Sequence, residues 1–377
     1  MSARSTVLHL SFFGMSSIAC KMPKSDKTPI CVTGASGFVA GHIVERLLRE
    51  GYDVRGTVRD PQAPKNQYLH SVAAQAAGAN PRAGKLTLFA ADLEKEGSFD
   101  EAFAPCKVVI HTAAVAQYHY DKDPFKEVIN PAVHGVETVV KACQKAGVKR
   151  IVYTSTVSTV EVAEAHRPPE HKGKPFTEDM WATRFTPKYG TYPYAKITAE
   201  KRLDELWKGE CIKLLPCTVF GPQQNGVITS SNQIAYGLFV REYPVAPPIR
   251  MDWVDARDVA KAHFLAATTD MFTSGERYNV TMNDIQPFSG FSTAINAAIP
   301  GAKAPTKSIP WPLLWCSSWF DKRMNSFVLY ELCDNRPGHD NSKIKRTGFT
   351  FDHTDLKQTM KDIIESFVKQ GICKPLS

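Results

Sequence analysis

A glycine turn, Thr33-Gly34-Ala35-Ser36-Gly37-Phe38-Val39-Ala40, joins two segments of different periodicity. The residues before it, Pro29-Ile-Cys-Val-Thr33, are mostly apolar or β-branched, which predicts a buried strand. After it, apolar residues recur every three or four positions from Phe38 to Glu50, which predicts a helix that ends at Gly51. The stretch therefore predicts a strand, a tight turn and a helix in direct succession.

Each small residue of this turn suits the binding of a dinucleotide. Gly34 permits the tight turn, Gly37 lets a pyrophosphate approach the backbone, and Ala40 lets the helix pack closely on the strand. The N-terminus of the helix would face the phosphates with its unpaired amide groups. Because the turn lies between a strand and a helix, we interpret it as a dinucleotide-binding fingerprint rather than a plain turn.

Short β-rich runs continue to alternate with amphipathic segments as far as Gly221. Such alternation is typical of an α/β fold in which helices flank a parallel sheet. We predict a Rossmann doubly wound parallel sheet with a smaller C-terminal substrate-binding lobe. The predicted domains are a flexible N-terminal extension (1–27), the cofactor-binding core (28–221) and a region that is mainly the lobe (222–377), with a return to the core near 251–282.

Several helices have recognisable ends in the sequence. Asn130 followed by Pro131 predicts an N-cap and the first residue of a helix that closes at Gly147. A further helix is expected from Tyr192 to Trp207. The chain ends on an amphipathic segment, Thr354 to Gln370, whose apolar side predicts packing against the rest of the molecule.

The end of the second predicted strand bears on the choice between NAD and NADP. That strand ends in Thr57-Val-Arg59-Asp60. An NAD enzyme usually has an acid there for the ribose 2′-hydroxyl, whereas the Arg59 guanidinium would bind a 2′-phosphate, with Lys65 as a second cation. Arg55 and Arg59 are alternatively solvated charges, and Asp60 alternatively serves a 2′-hydroxyl. NADP(H) is favoured, and NAD(H) stays open.

Two further strand ends carry residues suited to a cofactor. Ala91-Asp92-Leu93 follows the third strand, where the Asp92 carboxylate either accepts a hydrogen bond from an adenine amino group or stabilises a turn. His111-Thr112-Ala113-Ala114 follows the fourth strand, where small residues would let the cofactor lie across the sheet. We interpret His111 as a packed histidine without a chemical role.

Tyr192-Pro-Tyr-Ala-Lys196 has a phenol and an amine four residues apart. On a helix, such positions lie on one face. A free Tyr has a pKa near ~10, and a nearby ammonium favours the phenolate and lowers that pKa. The pair would therefore serve as a general acid and base, although Tyr and Lys also meet at this spacing on ordinary helix surfaces.

Eight motifs, in this order, resemble the extended (atypical) short-chain dehydrogenase/reductase family, which is NAD-dependent epimerase/dehydratase-like. They are TGASGFVA, TVRD, ADL, IHTAA, YTST, YPYAK, PCTVFGP and DWVDARDVAKAH. The resemblance covers residues 28–285 and weakens beyond them. Within the family the chain is most similar to the NADPH-dependent branch of dihydroflavonol reductases, cinnamoyl-CoA reductases and fungal carbonyl or aldehyde reductases.

The resemblance implies a catalytic set and a cofactor site. Tyr192 matches the catalytic tyrosine, Lys196 the lysine that lowers its pKa and holds the nicotinamide ribose, and Thr156 the hydroxyl that orients the substrate, with Ser155 as the fallback. No metal site is predicted. The implied cofactor-binding residues are Gly34, Ser36, Gly37, Phe38, Val39, Arg59, Lys65, Asp92, Leu93, Thr112, Ala113, Ala114, Tyr192, Lys196, Pro216 and Val219.

The resemblance also implies reduction of a ketone or aldehyde, or oxidation of the alcohol, in a bulky apolar or aromatic small molecule. Glu161 stands where dihydroflavonol reductases carry an Asn that contacts flavonoid hydroxyls, which argues against that substrate. Alternatives are a nucleotide-sugar epimerase or dehydratase, a 3-beta-hydroxysteroid dehydrogenase-like enzyme, and a non-catalytic NADP sensor. Retention of the Thr/Tyr/Lys set disfavours the sensor, and Arg59 disfavours an epimerase that holds NAD tightly.

Composition excludes several other classes. Of the 377 residues, 43% are hydrophobic and 22% charged, as expected for a globular protein with a sizeable core. The net charge of +8 is spread along the chain without a basic run, so no nucleic-acid partner is predicted. The nine cysteines contain no C-x-x-C pair, which indicates reduced thiols and no metal site. We expect a monomer or a homodimer.

Two segments leave questions open. Residues 1–25 contain no acid and several basic and Ser residues, so mitochondrial or other targeting stays open beside a cytoplasmic protein that starts at Met22. Trp311, Trp315 and Trp319 are spaced to share one helical face. They would pack in the lobe, line a bulky substrate pocket or dock on a membrane, but the stripe is too short to span one.

Overall fold

A computed structural model of the chain describes residues 28–114, 122–162, 167, 169–228, 230–310, 312–313, 315 and 337–374. The predicted extension, residues 1–27, lies outside these ranges, as do Trp311 and Trp319. Trp315 is described and is 37% exposed. The predictions about the extension and about the tryptophan stripe therefore stay predictions.

The strands of the described chain form one large and one small sheet. They are β1 (Ile30–Thr33), β2 (Val54–Val58), β3 (Leu86–Ala90), β4 (Val108–His111), β5 (Arg150–Thr154), β6 (Glu210–Pro216), β7 (Thr218–Phe220), β8 (Arg250–Asp255), β9 (Arg277–Val280) and β10 (Ile285–Pro287). The large sheet has the order β3-β2-β1-β4-β5-β6-β9, and all of its strand pairs are parallel. In the small sheet, β8 is parallel to β7 and antiparallel to β10.

Helices cover both faces of the large sheet. They are α1 (Phe38–Arg49), α2 (Gln67–Ala79), α3 (Asp100–Phe103), α4 (Asn130–Ala146), α5 (Thr191–Leu206), α6 (Ser230–Phe239), α7 (Ala256–Thr268), α8 (Phe288–Ala298), α9 (Ser342–Arg346) and α10 (Leu356–Lys369). The first core cluster packs α1, α2 and α7 on one face, and the second packs α3, α4 and α5 on the other.

The two-sided core follows from the alternation of side chains along each strand. Ile30 and Val32 of β1 pack in the first cluster, whereas Cys31 between them packs in the second. In β4, Ile110 belongs to the first cluster and Val109 to the second. Because both faces are buried, these strands are continuous apolar runs, as is typical of parallel sheets.

The strand order opens a crevice beside the glycine turn. The carboxyl ends of β1 and β4 are in register, with Thr33 opposite His111. In a doubly wound sheet the chain leaves these two strands toward opposite faces, and ligands bind in the crevice that results. The predicted Rossmann fold is confirmed.

A third core cluster lies in the C-terminal part of the chain. It joins α6, α8 and α10 and includes the buried side chains of Phe220, Trp253 and Phe291. Between parts of this cluster the chain returns to the large sheet, where β9 pairs with β6 and α7 packs in the first cluster. The residue boundaries of the predicted domains stay a prediction.

The prediction that Asn130 caps a helix is wrong. Asn130 has helical backbone angles, φ −61° and ψ −43°, and follows directly on a π-helical turn, Phe125–Ile129. The Asp123 side chain accepts the amide hydrogen of Phe125 at 2.9 Å, so the N-terminal cap lies at Asp123. Pro131 has no amide hydrogen, and the wide turn before it accommodates the missing bond.

The described residues also bear on metals and membranes. No group of three or more His, Cys, Asp or Glu side chains in the described part of the chain is arranged to hold a metal ion. None of the helices described above is long and apolar enough to cross a bilayer. The described cysteines are free thiols.

Candidate active site

The glycine turn after β1 has a backbone that glycine adopts without strain. Gly34 has φ +63°, and its amide donates to Thr57 Oγ1 of β2 at 3.2 Å. A Cβ on Gly34 would lie 3.1 Å from the Cα of Ala113, so a side chain would push the turn away from the loop after β4. The turn and this loop therefore form a close-fitting backbone cradle.

The N-terminus of α1 is open beside this cradle. Gly37 precedes the helix, and no described side chain caps its first turn. Because the first amide hydrogens of a helix have no acceptor within it, they are available to an anion. Gly37 is exposed, and Ser36, Phe38 and Val39 around it are half-buried. These donors fit the pyrophosphate of a dinucleotide.

Thr33 ties the glycine turn to the loop after β4. Its Oγ1 accepts the amide hydrogens of Thr112 at 3.2 Å and Ala113 at 3.1 Å, and lies 2.8 Å from Nδ1 of His111. Since both amides donate, we assign the hydroxyl as the donor to Nδ1. Burial and the nearby Lys196 lower the pKa of His111 to about 3, so the imidazole is neutral. His111 is thus packed, and no chemistry is assigned to it. Ala114 is exposed beyond it.

Arg59 and Lys65 lie exposed beyond the end of β2. Within the described residues, no hydrogen bond or ion pair engages the Arg59 guanidinium, which leaves its donors available to an external anion. Asp60 Oδ1 accepts the amide hydrogen of Gln62 at 2.9 Å and so stabilises a turn. Asp60 is thus engaged in a turn whereas the Arg59 guanidinium is not, and the contact of Arg59 with a cofactor stays a prediction.

The alternative that Arg55 is a solvated strand-edge charge is wrong. Its Nε donates to the carbonyl of Ala102 at 2.8 Å, and its Nη2 donates to that of Glu101 at 2.9 Å. Its guanidinium lies 3.9 Å from the ring centre of Phe89. Arg55 therefore joins β2 to α3 through two backbone carbonyls of that short helix.

The other predicted cofactor residues lie at neighbouring strand ends. Asp92 Oδ1 accepts the amide hydrogen of Glu94 at 3.0 Å, so Asp92 forms a turn, and its adenine contact stays a prediction. Leu93 is half-buried and packs against the second cluster. Pro216 ends β6 and Val219 lies in β7, and both are buried. Their contact with a nicotinamide stays a prediction.

Helix α5 carries Tyr192 and Lys196 one turn apart. The helix begins after Gly190, whose φ of +71° turns the chain into it. Tyr192 is half-buried in the first turn. Lys196 is 5% exposed, and its Nζ donates to the carbonyl of Thr154 at the end of β5, at 2.8 Å. The amine is therefore fixed at the carboxyl edge of the sheet.

The surroundings of Lys196 make its amine easy to deprotonate. Burial lowers the pKa of Lys196 to about 8, and the carboxylate of Glu200 opposes that shift. Nζ also lies 3.4 Å from the hydroxyl of Tyr153 and 4.8 Å from the centre of its ring. An ammonium poised in this range would stabilise a phenolate at Tyr192.

The structure distinguishes the two hydroxyls considered after β5. Ser155 Oγ donates to the buried carboxylate of Glu200 and is 3% exposed, so it belongs to the interior. Thr156 is 9% exposed at the start of a short 3₁₀ turn, where its Oγ1 accepts the amide hydrogen of Ser158 at 3.3 Å. The geometry favours Thr156, and its catalytic role stays a prediction.

A buried charge cluster surrounds Glu161. Its Oε2 lies 3.5 Å from Nη2 of Arg184, and its Oε1 lies 3.4 Å from Nε2 of His339. His339 Nδ1 lies 2.6 Å from Asp252 Oδ2. Although burial alone would lower it, the hydrogen bond to Asp252 and the nearby Glu161 carboxylate raise the pKa of His339 to about 9, so the imidazole is charged at neutral pH. Sequence reasoning missed His339, Asp252 and Arg184, which lie far apart along the chain.

A second buried network was also missed. Arg277 Nε donates to Glu200 Oε1 at 2.8 Å, and both side chains are at least nine-tenths buried. The two residues are 77 positions apart, so no local spacing signals the pair. Lys201 follows Glu200 and Glu276 precedes Arg277 in the sequence, so neither residue stands in an apolar run that would mark it as buried.

Comparison with known proteins identifies the family. The model of the NAD dependent epimerase/dehydratase family matches residues 30–281. A cinnamoyl-CoA reductase of Medicago truncatula is 36% identical over 249 residues, which cover 63% of this chain and 71% of that protein. A dihydroflavonol 4-reductase of Callistephus chinensis is 37% identical over 209 residues, which cover 53% of this chain and 54% of that protein. The chain thus spans about half the length of the latter relative.

Solved structures agree with this assignment. The structure of yeast methylglyoxal/isovaleraldehyde reductase, complexed with NADPH, is 25% identical, with a TM-score of 0.67, and the alignment covers 90% of this chain and 98% of that chain. The relatives are named reductases, which confirms the predicted class of an NAD(P)-dependent oxidoreductase and the resemblance to the dihydroflavonol and cinnamoyl-CoA reductases. The chain belongs to the NAD dependent epimerase/dehydratase family.

Proposed function

We propose that the chain is an NADPH-dependent oxidoreductase. It reduces a ketone or aldehyde in a bulky apolar or aromatic small molecule, or oxidises the corresponding alcohol. The observation that carries this proposal is the buried amine of Lys196, held at the carboxyl end of β5 one helical turn from Tyr192. The Gly34 turn lies at the same edge of the parallel sheet. A proton donor beside a dinucleotide site is what reduction of a carbonyl requires.

The residues of the chain supply position and a proton. The Lys196 ammonium lowers the pKa of the Tyr192 phenol, which donates its proton to the carbonyl oxygen as that oxygen gains negative charge. The Thr156 hydroxyl donates a hydrogen bond to the same oxygen and orients it. When bound, the nicotinamide supplies the hydride. Oxidation of an alcohol follows the same steps in reverse.

Arg59→Ala is expected to weaken NADPH binding by about 10- to 100-fold and NADH binding only slightly, because NADPH alone carries the 2′-phosphate. The exposed guanidinium at the end of β2 supports this assignment, as does the NADPH complex of the yeast reductase. The measurement is the dissociation constant of each cofactor, determined by fluorescence titration.

Arg55→Ala is the matched control, since Arg55 lies in β2, four residues before Arg59, and its guanidinium is engaged by α3. This variant should lose stability but keep the ratio of NADPH to NADH affinity. Equal losses for both cofactors in Arg59→Ala would contradict the proposed contact of Arg59 with a 2′-phosphate and leave the choice between NADP(H) and NAD(H) open.

The substrate class is tested by oxidation of NADPH in the presence of a panel of ketones, aldehydes, acyl-CoA thioesters and 3-ketosteroids. We expect turnover of an apolar or aromatic carbonyl compound. At the position where dihydroflavonol reductases carry an Asn, this chain has Glu161, which lies among the charged groups of Arg184 and His339. This difference supports a substrate other than a dihydroflavonol. Turnover of a dihydroflavonol alone would contradict this part of the proposal.

The alternatives give different results in the same assay. A nucleotide-sugar epimerase would purify with bound NAD and convert a nucleotide sugar without net oxidation of cofactor. A sensor would bind NADPH and turn over nothing. We propose a small-molecule carbonyl compound as the partner, and a monomer or homodimer as the assembly, which sedimentation analysis would determine.

A further inference from the structure

We propose that Arg277 is a positioning residue that holds the elements bearing Thr156, Tyr192 and Lys196 in their catalytic arrangement. The inference rests on the proposed function, and it adds a residue of β9, at the edge of the large sheet, to the machinery of the site. Arg277 is 6% exposed and lies next to Lys213 of β6 in the sheet register. It reaches three separate segments with one guanidinium.

The first segment is the turn after β5. Arg277 Nη2 donates to Thr159 Oγ1 at 2.5 Å, and the Thr159 hydroxyl in turn donates to the carbonyl of Thr156 at 2.8 Å. The guanidinium is therefore one side chain removed from the residue proposed to orient the substrate. Loss of Arg277 would free Thr159 and allow the backbone at Thr156 to shift.

The second segment is the chain that leads toward α5. Arg277 Nη1 donates to the carbonyls of Glu178 at 2.9 Å and Met180 at 2.7 Å. Its guanidinium lies 3.9 Å from the ring centre of Trp181. A planar group that satisfies two carbonyls and stacks on an indole leaves this segment little freedom. The segment precedes α5 along the chain, so its position affects the position of the Tyr192 phenol in the site.

The third segment is α5 itself, through Glu200. Arg277 Nε donates to Glu200 Oε1 at 2.8 Å, and Ser155 Oγ donates to the other carboxylate oxygen. Glu200 is 0% exposed and lies one turn after Lys196. A carboxylate buried to this extent requires a paired cation and hydrogen bonds, and Arg277 supplies the cation.

This pair also sets the charge that faces Lys196. His111 approaches the amine from β4, Tyr153 from β5 and Glu200 from its own helix, with Arg277 behind Glu200. His111 and Tyr153 are uncharged at neutral pH, because burial lowers the pKa of the first and raises that of the second. Removal of Arg277 would leave the negative charge of Glu200 without its compensating cation. The carboxylate would then attract the Lys196 ammonium more strongly and raise the pKa of Lys196.

The experiment compares Arg277→Met with the double variant Glu200→Gln/Arg277→Met and with Arg150→Met. Arg150 is the matched control, because its guanidinium, like that of Arg277, binds carboxylate and carbonyl oxygens, but at the opposite end of β5. The readouts are the pH dependence of kcat, the pH dependence of the NADPH dissociation constant, and the Tm.

In Arg277→Met we expect kcat to fall by about 10- to 100-fold, as for a misplaced catalytic group. The alkaline limb of both pH profiles should move to higher pH. The double variant also lacks the carboxylate that favours the ammonium, so its limb should lie at the wild-type pH or below it while kcat stays low. Arg150→Met should lower the Tm and leave both limbs in place.

A wild-type kcat and an unmoved limb in Arg277→Met would overturn the proposal, as would an equal displacement in Arg150→Met. If Arg277→Met does not fold, a limb displaced to higher pH in the double variant overturns the proposal, since that variant buries no unpaired charge and lacks the Glu200 carboxylate. The NADPH profile needs no substrate. A wild-type protein that turns over nothing, together with a displaced binding limb in Arg277→Met, would therefore contradict the proposed function alone.

Discussion

Tyr192→Phe is expected to reduce kcat by about 10²- to 10⁴-fold, the range that a positioned acid or base contributes. The phenol is half-buried in the first turn of α5, one turn from the buried Lys196 amine. Phenylalanine keeps the ring and its packing, so the NADPH dissociation constant should change little. The measurement is the steady-state rate on the carbonyl compound found in the panel, together with a cofactor titration.

Tyr194→Phe is the matched control for this variant. Tyr194 lies two residues further along the same helix, and its ring packs against the second core cluster. Loss of its hydroxyl should leave kcat close to that of the wild type. Near-wild-type turnover in Tyr192→Phe, or an equal loss in Tyr194→Phe, would refute the mechanism.

Lys196→Met is expected to reduce kcat by about 10²- to 10⁴-fold and, unlike Tyr192→Phe, also to weaken NADPH binding. The first effect follows because the ammonium that lowers the pKa of the Tyr192 phenol is lost. The second follows from the proposed contact of Lys196 with the nicotinamide ribose. Methionine fills the buried space that the lysine stem occupies, so the fold should be retained.

The pH profile of the wild type provides an independent check on Lys196. Burial lowers the pKa of this lysine to about 8, so the ammonium is present below that pH and lost above it. We therefore expect kcat to fall as the pH rises through about 8, and this limb to be absent from the residual activity of Lys196→Met. Lys201→Met, on the same helix but exposed, is the control and should keep the limb. A profile that rises through this range would contradict the role of the ammonium.

Most of the large sheet could be predicted from the sequence, because parallel strands buried on both faces are short apolar runs between helices. The predicted strand from Pro29 to Thr33 starts one residue before β1 and ends at the same residue. The start of α4 could not be predicted in this way. Asn130 followed by Pro131 looks like a cap locally, but a π-helical turn, capped by Asp123, extends the helix toward its N-terminus.

The candidate site also contains some residues that local spacing identifies and others that it does not. Gly34, Gly37, Tyr192 and Lys196 were identified from short spacings, because turns and helix faces are decided within a few residues. Spacing does not distinguish Ser155 from Thr156, because adjacent residues at the end of an extended strand differ only in the direction of their side chains. The tertiary structure shows that direction, since the Ser155 hydroxyl donates to the buried carboxylate of Glu200.

The sequence by itself determined the family, the Rossmann order of elements and the Tyr192–Lys196 pair, all of which depend on local patterns. Only the tertiary structure showed that Arg277 pairs with Glu200, that His339 lies between Asp252 and Glu161, and that Arg55 binds the end of α3. The physical reason is that a buried charge must find its partner across the fold. Which partner it meets depends on how strands and helices pack together, and no spacing along the chain records that.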